Sequence, residues 1–142
     1  AEFLRYGSIH RNSYINAPGA LGSGLRAGGA PLFFAGQLTG VEGYTESIGT
    51  GLLAGINLAR VLRGDAALVP PPTTMLGALL RYLRDADPKH FQPMNANFGL
   101  LDPLDGVPKA ARKQAQVDRA QRDFGAWLAQ LSPVASGVGV AS

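Results

Sequence analysis

Three glycines between a short apolar run and a long helical pattern are the residues of this chain best placed to do chemistry. Gly36, Gly40 and Gly43 follow an apolar run at residues 32–35, and the helical pattern begins near Tyr44. A helix N-terminus carries free N–H groups and a partial positive charge, which suit a phosphate or the electron-rich edge of a reduced flavin. The spacing is not GxGxxG, and no phosphate-loop lysine follows. A tight turn that needs positive φ angles is an equally open interpretation.

Two other polar groups could contact a ligand. His10, Arg11 and Asn12 could bind an anion or a planar heterocycle, although a polar strand end explains them more simply. The loop at residues 87–99 combines amides and aromatic rings, which could read a base or hold a neighbouring backbone in place. A structural loop tied down by its own Asn and Gln side chains is slightly favoured.

The last helical pattern carries basic residues that point to two different roles. A solvated helix face is the simpler interpretation, and contact with a nucleic-acid backbone is the functional one. Acidic residues at positions 118 and 123 dilute the positive charge. The basic residues are Lys109, Arg112, Lys113, Arg119 and Arg122.

The elements that must position these residues are readable from local signals. Residues 32–35 are predicted to form a strand buried on both faces. The following helix is expected to begin near Tyr44 and to end before Gly64. Thr73 or Thr74 is expected to cap a helix at residues 75–84. A last helix is predicted from Pro108 to about residue 131.

The composition limits the class of protein. The chain has 142 residues, of which 46% are hydrophobic and 16% charged, as expected for one ordered domain. It has no cysteine, which excludes disulfides and thiolate sites within it. A net charge of +3 permits an anionic partner without requiring one. We see no signal peptide, metal pattern or membrane span, and we expect a cytoplasmic protein.

Several sequence blocks together resemble a known family. The block FFAGQLTGVEGY at residues 33–44, followed by GLLAGIN at 51–57, resembles flavoproteins that modify tRNA uridines. Two relatives share it, namely the wobble-uridine modifying flavoproteins (MnmG/GidA) and the folate- and FAD-dependent tRNA (uracil-5-)-methyltransferases (TrmFO). The second group is favoured by RYG at 5–7, HRN at 10–12, YINAP at 14–18, GALL at 77–80, FQPMN at 91–95 and NFGL at 97–100.

The resemblance implies a defined activity. FAD would take hydride from NADH or NADPH, and methylenetetrahydrofolate would supply a one-carbon unit to carbon 5 of a T-loop uridine in tRNA. In this family the dinucleotide-binding glycine loop and the reactive cysteines lie in the N-terminal part. The chain has neither, so it resembles a C-terminal portion whose partners would be tRNA and the remaining N-terminal part. No membrane or metal is implied.

The resemblance also suggests roles for individual residues. Those expected to line the flavin are Gly36, Gln37, Thr39, Gly40, Val41, Glu42, Gly43 and Tyr44. The substrate or folate cleft is assigned to His10, Arg11 and Asn12. Candidate contacts to tRNA phosphates are Arg81, Arg84, Lys89, Lys109 and Arg112. No catalytic residue is assigned within the chain.

The implied fold class is α/β, as the C-terminal part of a Rossmann-like FAD-binding domain of the glutathione-reductase type with following helices. Residues 1–30 would return from an insertion domain, and residues 31–72 would form the strand–turn–helix of the FAD-binding domain. Residues 73–131 would be a helical part and residues 132–142 a flexible tail. The open alternatives are the wobble-uridine relative and a non-catalytic flavin- or RNA-binding module.

Overall fold

The computed structural model describes residues 13–131, which fold as a set of helices joined by ordered loops. Four α-helices follow one another as α1 (Ala17–Ala20), α2 (Tyr44–Leu62), α3 (Met75–Asp85) and α4 (Arg112–Leu131). Short 3₁₀ turns lie at Ser23–Leu25, Gly36–Thr39 and Phe98–Leu100. Within residues 13–131, no helix is long and apolar enough to cross a membrane.

The helix α2 has the predicted ends. It begins at Tyr44, after Gly43, and no side chain caps its first turn. It ends at Leu62, and Gly64 follows with a φ of 86° in the left-handed region that suits glycine after a helix. One face of α2 is buried and includes Leu53 and Asn57.

The helix α3 is the most buried of the helices and confirms a predicted cap. The Thr74 side chain accepts a hydrogen bond from the Gly77 N–H at 3.1 Å, which satisfies one free donor of the first turn. A Cβ at Gly77 would lie 2.0 Å from the Pro71 carbonyl oxygen, so only glycine lets the proline-rich segment pass this close. Leu79 and Leu83 are almost completely buried on this helix.

A single hydrophobic core joins these elements. Phe91 brings the loop before residue 100 into this core, since its ring centroid lies 5.9 Å from Tyr14 and 5.8 Å from Tyr82. Aromatic pairs at such distances stabilise each other beyond the area they bury. The core members are Ala17, Leu21, Leu25, Val41, Leu53, Ala54, Leu79, Leu80, Leu83 and Phe91.

The predicted strand at residues 32–35 is wrong for this structure. Phe33 forms one isolated antiparallel bridge with Arg26, and the described residues contain no strand. Leu32 is 49% exposed, whereas a strand covered on both faces would bury it. A strand needs neighbouring strands for its backbone groups, and residues 13–131 supply only isolated bridges. The α/β class is therefore not confirmed by the described part of the chain.

The last helix begins later than predicted and packs weakly. Pro108 has no helical structure, residues 109–111 form a turn, and α4 begins at Arg112. Gln116 is the only residue of α4 that is buried. Polar contacts attach the helix, since Thr73 Oγ1 donates to Asp123 Oδ2 at 2.8 Å. The predicted tail at residues 132–142 lies outside the described residues.

Candidate functional site

A pocket of about 380 Å³ lies beside the N-terminus of α2. It is formed where the glycine-rich turn, the first residues of α2 and the loop after residue 90 come together. Its lining is largely polar and combines a carboxylate, two carboxamides and two phenols. The lining residues are Tyr14, Gln37, Val41, Glu42, Gly43, Tyr44, Pro93 and Asn95.

Gly40 must be a glycine for two independent reasons. Its φ is 87°, in the region that residues with a side chain rarely adopt. An ideal Cβ there would lie 2.6 Å from Cζ of Phe91, which belongs to the core. The close approach of Gly40 to Phe91 thus brings the turn against the loop that forms the opposite wall of the pocket.

Two buried threonines fix the turn from within. Thr39 Oγ1 donates to the Gly36 carbonyl at 2.8 Å, and the Gly36 N–H donates to Thr50 Oγ1 at 3.1 Å. Thr50 Oγ1 in turn donates to the Glu46 carbonyl in the first turn of α2 at 2.9 Å. Both threonines are fully buried, so the turn is tied to the first turns of α2.

Five of the eight residues predicted to line a flavin therefore face the pocket, and three do not. Gln37, Val41, Glu42, Gly43 and Tyr44 line it. The other three are Gly36, Thr39 and Gly40, which shape the turn behind the lining. The contact of these residues with a flavin stays a prediction.

The loop at residues 91–97 is held against the turn by backbone and side-chain hydrogen bonds. Met94 N–H donates to the Gly40 carbonyl at 2.8 Å, and Glu42 N–H donates to the Met94 carbonyl at 3.2 Å. Val41 and Met94 thereby form an isolated parallel bridge. The geometry favours the interpretation that this loop holds a neighbouring backbone in place.

Two carboxylates extend the same connection. Asn95 Nδ2 donates to Glu42 Oε2 at 3.3 Å, and the Ala96 N–H donates to Glu46 Oε1 at 3.1 Å. The Glu46 carboxylate also lies over Gly43, because a Cβ placed on Gly43 would collide with it. Glu46 therefore brings negative charge to the N-terminus of α2, where the helix dipole stabilises it.

The charge of the described lining favours the flavin edge over a phosphate, the two ligands suggested by the sequence. Among residues 13–131, the lining contains Glu42 and no lysine, arginine or histidine. A phosphate would meet this carboxylate and that of Glu46, and the described part of the lining offers no cation to compensate them. A neutral heterocycle with both donors and acceptors suits this lining better, because the Glu42 carboxylate accepts hydrogen bonds and the Gln37 and Asn95 carboxamides both donate and accept them.

Sequence reasoning missed part of the lining. Tyr14, Pro93 and Asn95 complete the pocket but were not assigned to it. Pro93 and Asn95 belong to the block FQPMN, which was the available signal. Tyr14 reaches the pocket through its contact with Phe91, a tertiary packing that no local pattern indicates.

The predicted tRNA contacts are spread over α3, the following loop and the region before α4. Arg81 donates to Asp102 Oδ2 at 2.9 Å, and Arg84 pairs with Asp85. These hydrogen bonds hold the pKa of both carboxyl groups below their usual range. Arg112 Nε donates to the Val107 carbonyl at 2.9 Å, while Lys89 and Lys109 are exposed.

Two other predictions concern the residues of the substrate cleft and the binding of a metal. His10, Arg11 and Asn12 lie outside the described residues. Between residues 13 and 131, no group of three or more histidine or acidic side chains could hold a metal ion.

Comparison with known proteins finds a family model and several similar sequences. The family model "Glucose inhibited division protein A" matches residues 1–66. A protein from Geobacter sulfurreducens is 54% identical over 133 residues, covering 92% of this chain and 31% of the relative. Relatives from Streptococcus gordonii and Desulforudis audaxviator are each 52% identical, covering 90% and 92% of this chain and 30% of their own lengths.

All three relatives carry the name methylenetetrahydrofolate–tRNA-(uracil-5-)-methyltransferase TrmFO. Over nine tenths of its own length, the chain is similar to a segment of these TrmFO proteins. It spans about 31% of the length of the first of these curated relatives.

Proposed function

We propose that this chain contributes one wall of the active site of a folate- and FAD-dependent tRNA (uracil-5-)-methyltransferase. The observation that carries the proposal is the 54% identity over 133 residues to a relative of that name. The wobble-uridine relative is less well supported, because the three relatives compared above carry the methyltransferase name. A chain that spans 31% of a relative needs the rest of that fold for the complete reaction.

The pocket beside α2 is the proposed flavin-facing surface. The fit rests on a polar lining and on the close backbone approach at Gly40, where a Cβ has no room. Gln37 and Glu42 would hold the pyrimidine edge of the ring, together with backbone N–H groups near Gly43. When bound, FAD supplies the redox and one-carbon transfer chemistry, and NADH or NADPH is the proposed reductant.

The chain's own residues would bind and orient in this scheme. Donors fixed before the reaction stabilise developing charge without reorganising. The hydrogen bonds of Thr39 and Thr50 hold Gly36 and the turn rigid, which keeps the pocket backbone in one position. Asn95, on the opposite wall, would contact the second ligand, methylenetetrahydrofolate or the uridine. His10, Arg11 and Asn12 remain proposed for that cleft.

The proposed tRNA surface has fewer free basic residues than the sequence suggested. Arg81 and Arg84 already bind carboxylates, which reduces the positive charge that they offer to a phosphate. Three of the predicted basic residues form no ion pair with a carboxylate among the described residues, namely Lys89, Lys109 and Arg112. They are therefore better placed to contact phosphates. Such contacts would weaken steeply as salt increases.

The proposed domain organisation is one continuous body. Leu25, Leu53 and Leu79 come from the three segments 1–30, 31–72 and 73–131, and they share one core. We therefore treat these segments as successive parts of a FAD-binding domain and its helical extension. The proposal that residues 1–30 return from an insertion domain rests on the family resemblance.

A chimera tests the function directly. In the Geobacter sulfurreducens relative, the segment that matches this chain would be replaced by this chain. The purified chimera is expected to bind flavin, visible in its absorption spectrum. It should also transfer the labelled methylene carbon of methylenetetrahydrofolate to a T-loop uridine, detected as 5-methyluridine.

Two outcomes would contradict the proposal. A chimera that binds flavin but forms only aminomethyl-type products at the wobble position would support the other relative. A folded chimera that is colourless would remove the flavin assignment. In the same protein, Gly40→Leu should abolish flavin retention, whereas Gly125→Leu on exposed α4 should leave it unchanged.

A further inference from the structure

The side of α2 that faces away from the core is apolar and exposed. Tyr44, Ile48, Leu52 and Leu62 are 79%, 73%, 66% and 69% exposed. Gly51 and Gly55 lie among them and are also exposed. We call this set the outward stripe, which consists of Tyr44, Ile48, Gly51, Leu52, Gly55 and Leu62. Helical spacing of three or four residues places these positions along one side of the helix.

The outward stripe carries no charge. The charged residues of α2 are Glu46 and Arg60, and both are turned toward the rest of the described structure. The Glu46 carboxylate accepts from the Ala96 N–H at 3.1 Å, and Arg60 Nε donates to the Ala66 carbonyl at 2.8 Å. A surface helix normally presents charged and polar residues to water on the face opposite its core. The core-facing side of α2 and the outward stripe therefore both have a composition suited to burial.

The two glycines of the stripe have no explanation within residues 13–131. A Cβ on Gly51 or Gly55 would meet no atom within 4 Å, and neither residue has a positive φ. Glycine inside a helix costs about 0.5–1 kcal/mol relative to alanine. Glycines four residues apart on one helix face allow another backbone to approach closely. The stripe thus has the form of a close-packing surface whose partner lies outside the described residues.

We infer that the outward stripe is the docking surface for the polypeptide that corresponds to the part of the relatives not matched by this chain. This inference rests on the proposed function. The chain spans 31% of the Geobacter relative, so a large polypeptide portion of that fold is available as the occupant. Tyr44 belongs both to the stripe and to the lining of the pocket, so a polypeptide on the stripe would also reach the pocket edge.

The chemistry of the stripe argues against other partners. Nucleic acids and anionic membranes are recognised through lysine and arginine, and the stripe has neither. An apolar surface with two glycines fits a packed polypeptide, for which apolar burial and close backbone approach are the main contributions. A second copy of this chain is the competing polypeptide, and the experiment separates it.

The first experiment measures binding between two separate polypeptides. The probe is the Geobacter sulfurreducens relative without the segment that matches this chain, mixed with the full chain. Gly55→Leu is expected to weaken binding at least tenfold, because a bulky side chain blocks close approach. The same change should leave the melting temperature of the isolated chain equal or higher, since glycine is the poorer helix former. Gly125→Leu is the matched control and should bind normally, because a Cβ there also meets nothing within 4 Å.

A second measurement does not require the excised part to fold. The chain has no cysteine, so Leu52→Cys introduces a unique thiol. In the isolated chain this thiol should react rapidly with a maleimide. In the chimera described above, peptide mapping should show it protected at least tenfold, while a thiol introduced as Gly125→Cys should show a smaller change.

The outcomes are distinct. Equal labelling of Leu52→Cys in the isolated chain and the folded chimera overturns the docking surface. Self-association of the isolated chain that Gly55→Leu abolishes assigns the stripe to a second copy instead. If Gly55→Leu weakens the assembly but the unmodified assembly makes no 5-methyluridine, docking stands and the proposed function fails. If methylation occurs and Gly55→Leu leaves the assembly intact, the function stands and docking fails.

Discussion

The side chain of Asn57 pairs with both backbone groups of Leu68. Its Oδ1 accepts from the Leu68 N–H at 2.6 Å, and its Nδ2 donates to the Leu68 carbonyl at 2.9 Å. The same Nδ2 donates to the Gly24 carbonyl at 3.1 Å. Asn57 is completely buried, so this one carboxamide joins α2 to the chain segments before and after it.

Replacing Asn57 should destabilise the fold strongly. Asn57→Ala leaves the Leu68 N–H and two carbonyl groups without partners, and an unsatisfied buried group costs about 1–3 kcal/mol. We expect the free energy of unfolding to fall by about 3 kcal/mol, measured by urea unfolding. Asn57→Asp retains only the acceptor and should be similarly damaging. A loss below about 1 kcal/mol for Asn57→Ala would show that these hydrogen bonds do not matter.

The contact of Gly40 with Phe91 predicts a measurable coupling. Gly40→Ala places a Cβ 2.6 Å from Phe91 Cζ and requires a left-handed φ for alanine. We expect it to cost about 2–4 kcal/mol, of which about 1 kcal/mol or more is backbone strain. In a Phe91→Leu background the steric part should shrink, so a double-mutant cycle should give about 1 kcal/mol of coupling. If Gly40→Ala lowered the free energy of unfolding equally in both backgrounds, backbone strain would be the only cause of the loss.

Glu46 should control the dynamics of the opposite pocket wall. Glu46→Ala removes the acceptor of the Ala96 N–H, and hydrogen bonds to charged groups contribute about 1.5–3 kcal/mol. Amide exchange at Ala96, followed by NMR, is therefore expected to accelerate at least tenfold. Glu46→Gln keeps an acceptor oxygen and should stay near the original rate. Exchange at Leu79 in α3 is the internal reference and should not change.

The ion pair between Arg81 and Asp102 predicts a small dependence of stability on pH. The hydrogen bond from Arg81 lowers the pKa of Asp102 in the folded chain. A lowered carboxyl pKa adds stability above the unfolded value of about 3.9, and this stability is lost as the pH falls through the folded pKa. Both side chains are partly exposed, at 32% and 57%, so the pair should contribute only about 0.2–1 kcal/mol.

The test compares Asp102→Asn with the unmodified chain by urea unfolding. At pH 7 the variant should be less stable by that small amount, and the difference should shrink as the pH is lowered below about 3.9. Asp105→Asn, also at an exposed position, is the control. A difference that stays constant down to the acid limit would argue against a role of the ion pair.

Local signals were sufficient for the helices and insufficient for the strand. The start of α2 after Gly43, its end before Gly64 and the Thr74 cap of α3 are properties of a few consecutive residues. The strand at residues 32–35 depends on distant pairing, and Phe33 has a single bridge partner among the described residues. α4 begins after a turn region that Pro108 alone could not distinguish from a first helical turn.

The pocket was predictable on one wall only. The spacing of the glycines and the block at 33–44 indicated the turn and the first residues of α2. The opposite wall depends on the pairing of Val41 with Met94 and on the packing of Tyr14 against Phe91. These are tertiary contacts between segments far apart in sequence. The central role of Asn57 escaped prediction for the same reason, since its partners are at residues 24 and 68.

The attachment of α4 has a consequence for how the molecule unfolds. With one buried residue and hydrogen bonds such as Thr73 to Asp123 and Arg119 to the Asp102 carbonyl, α4 contributes little to the common core. It should open as a separate cooperative unit, at a free energy well below that of global unfolding. A protease acting under native conditions should therefore cut first within or just before α4 and leave the remaining body intact.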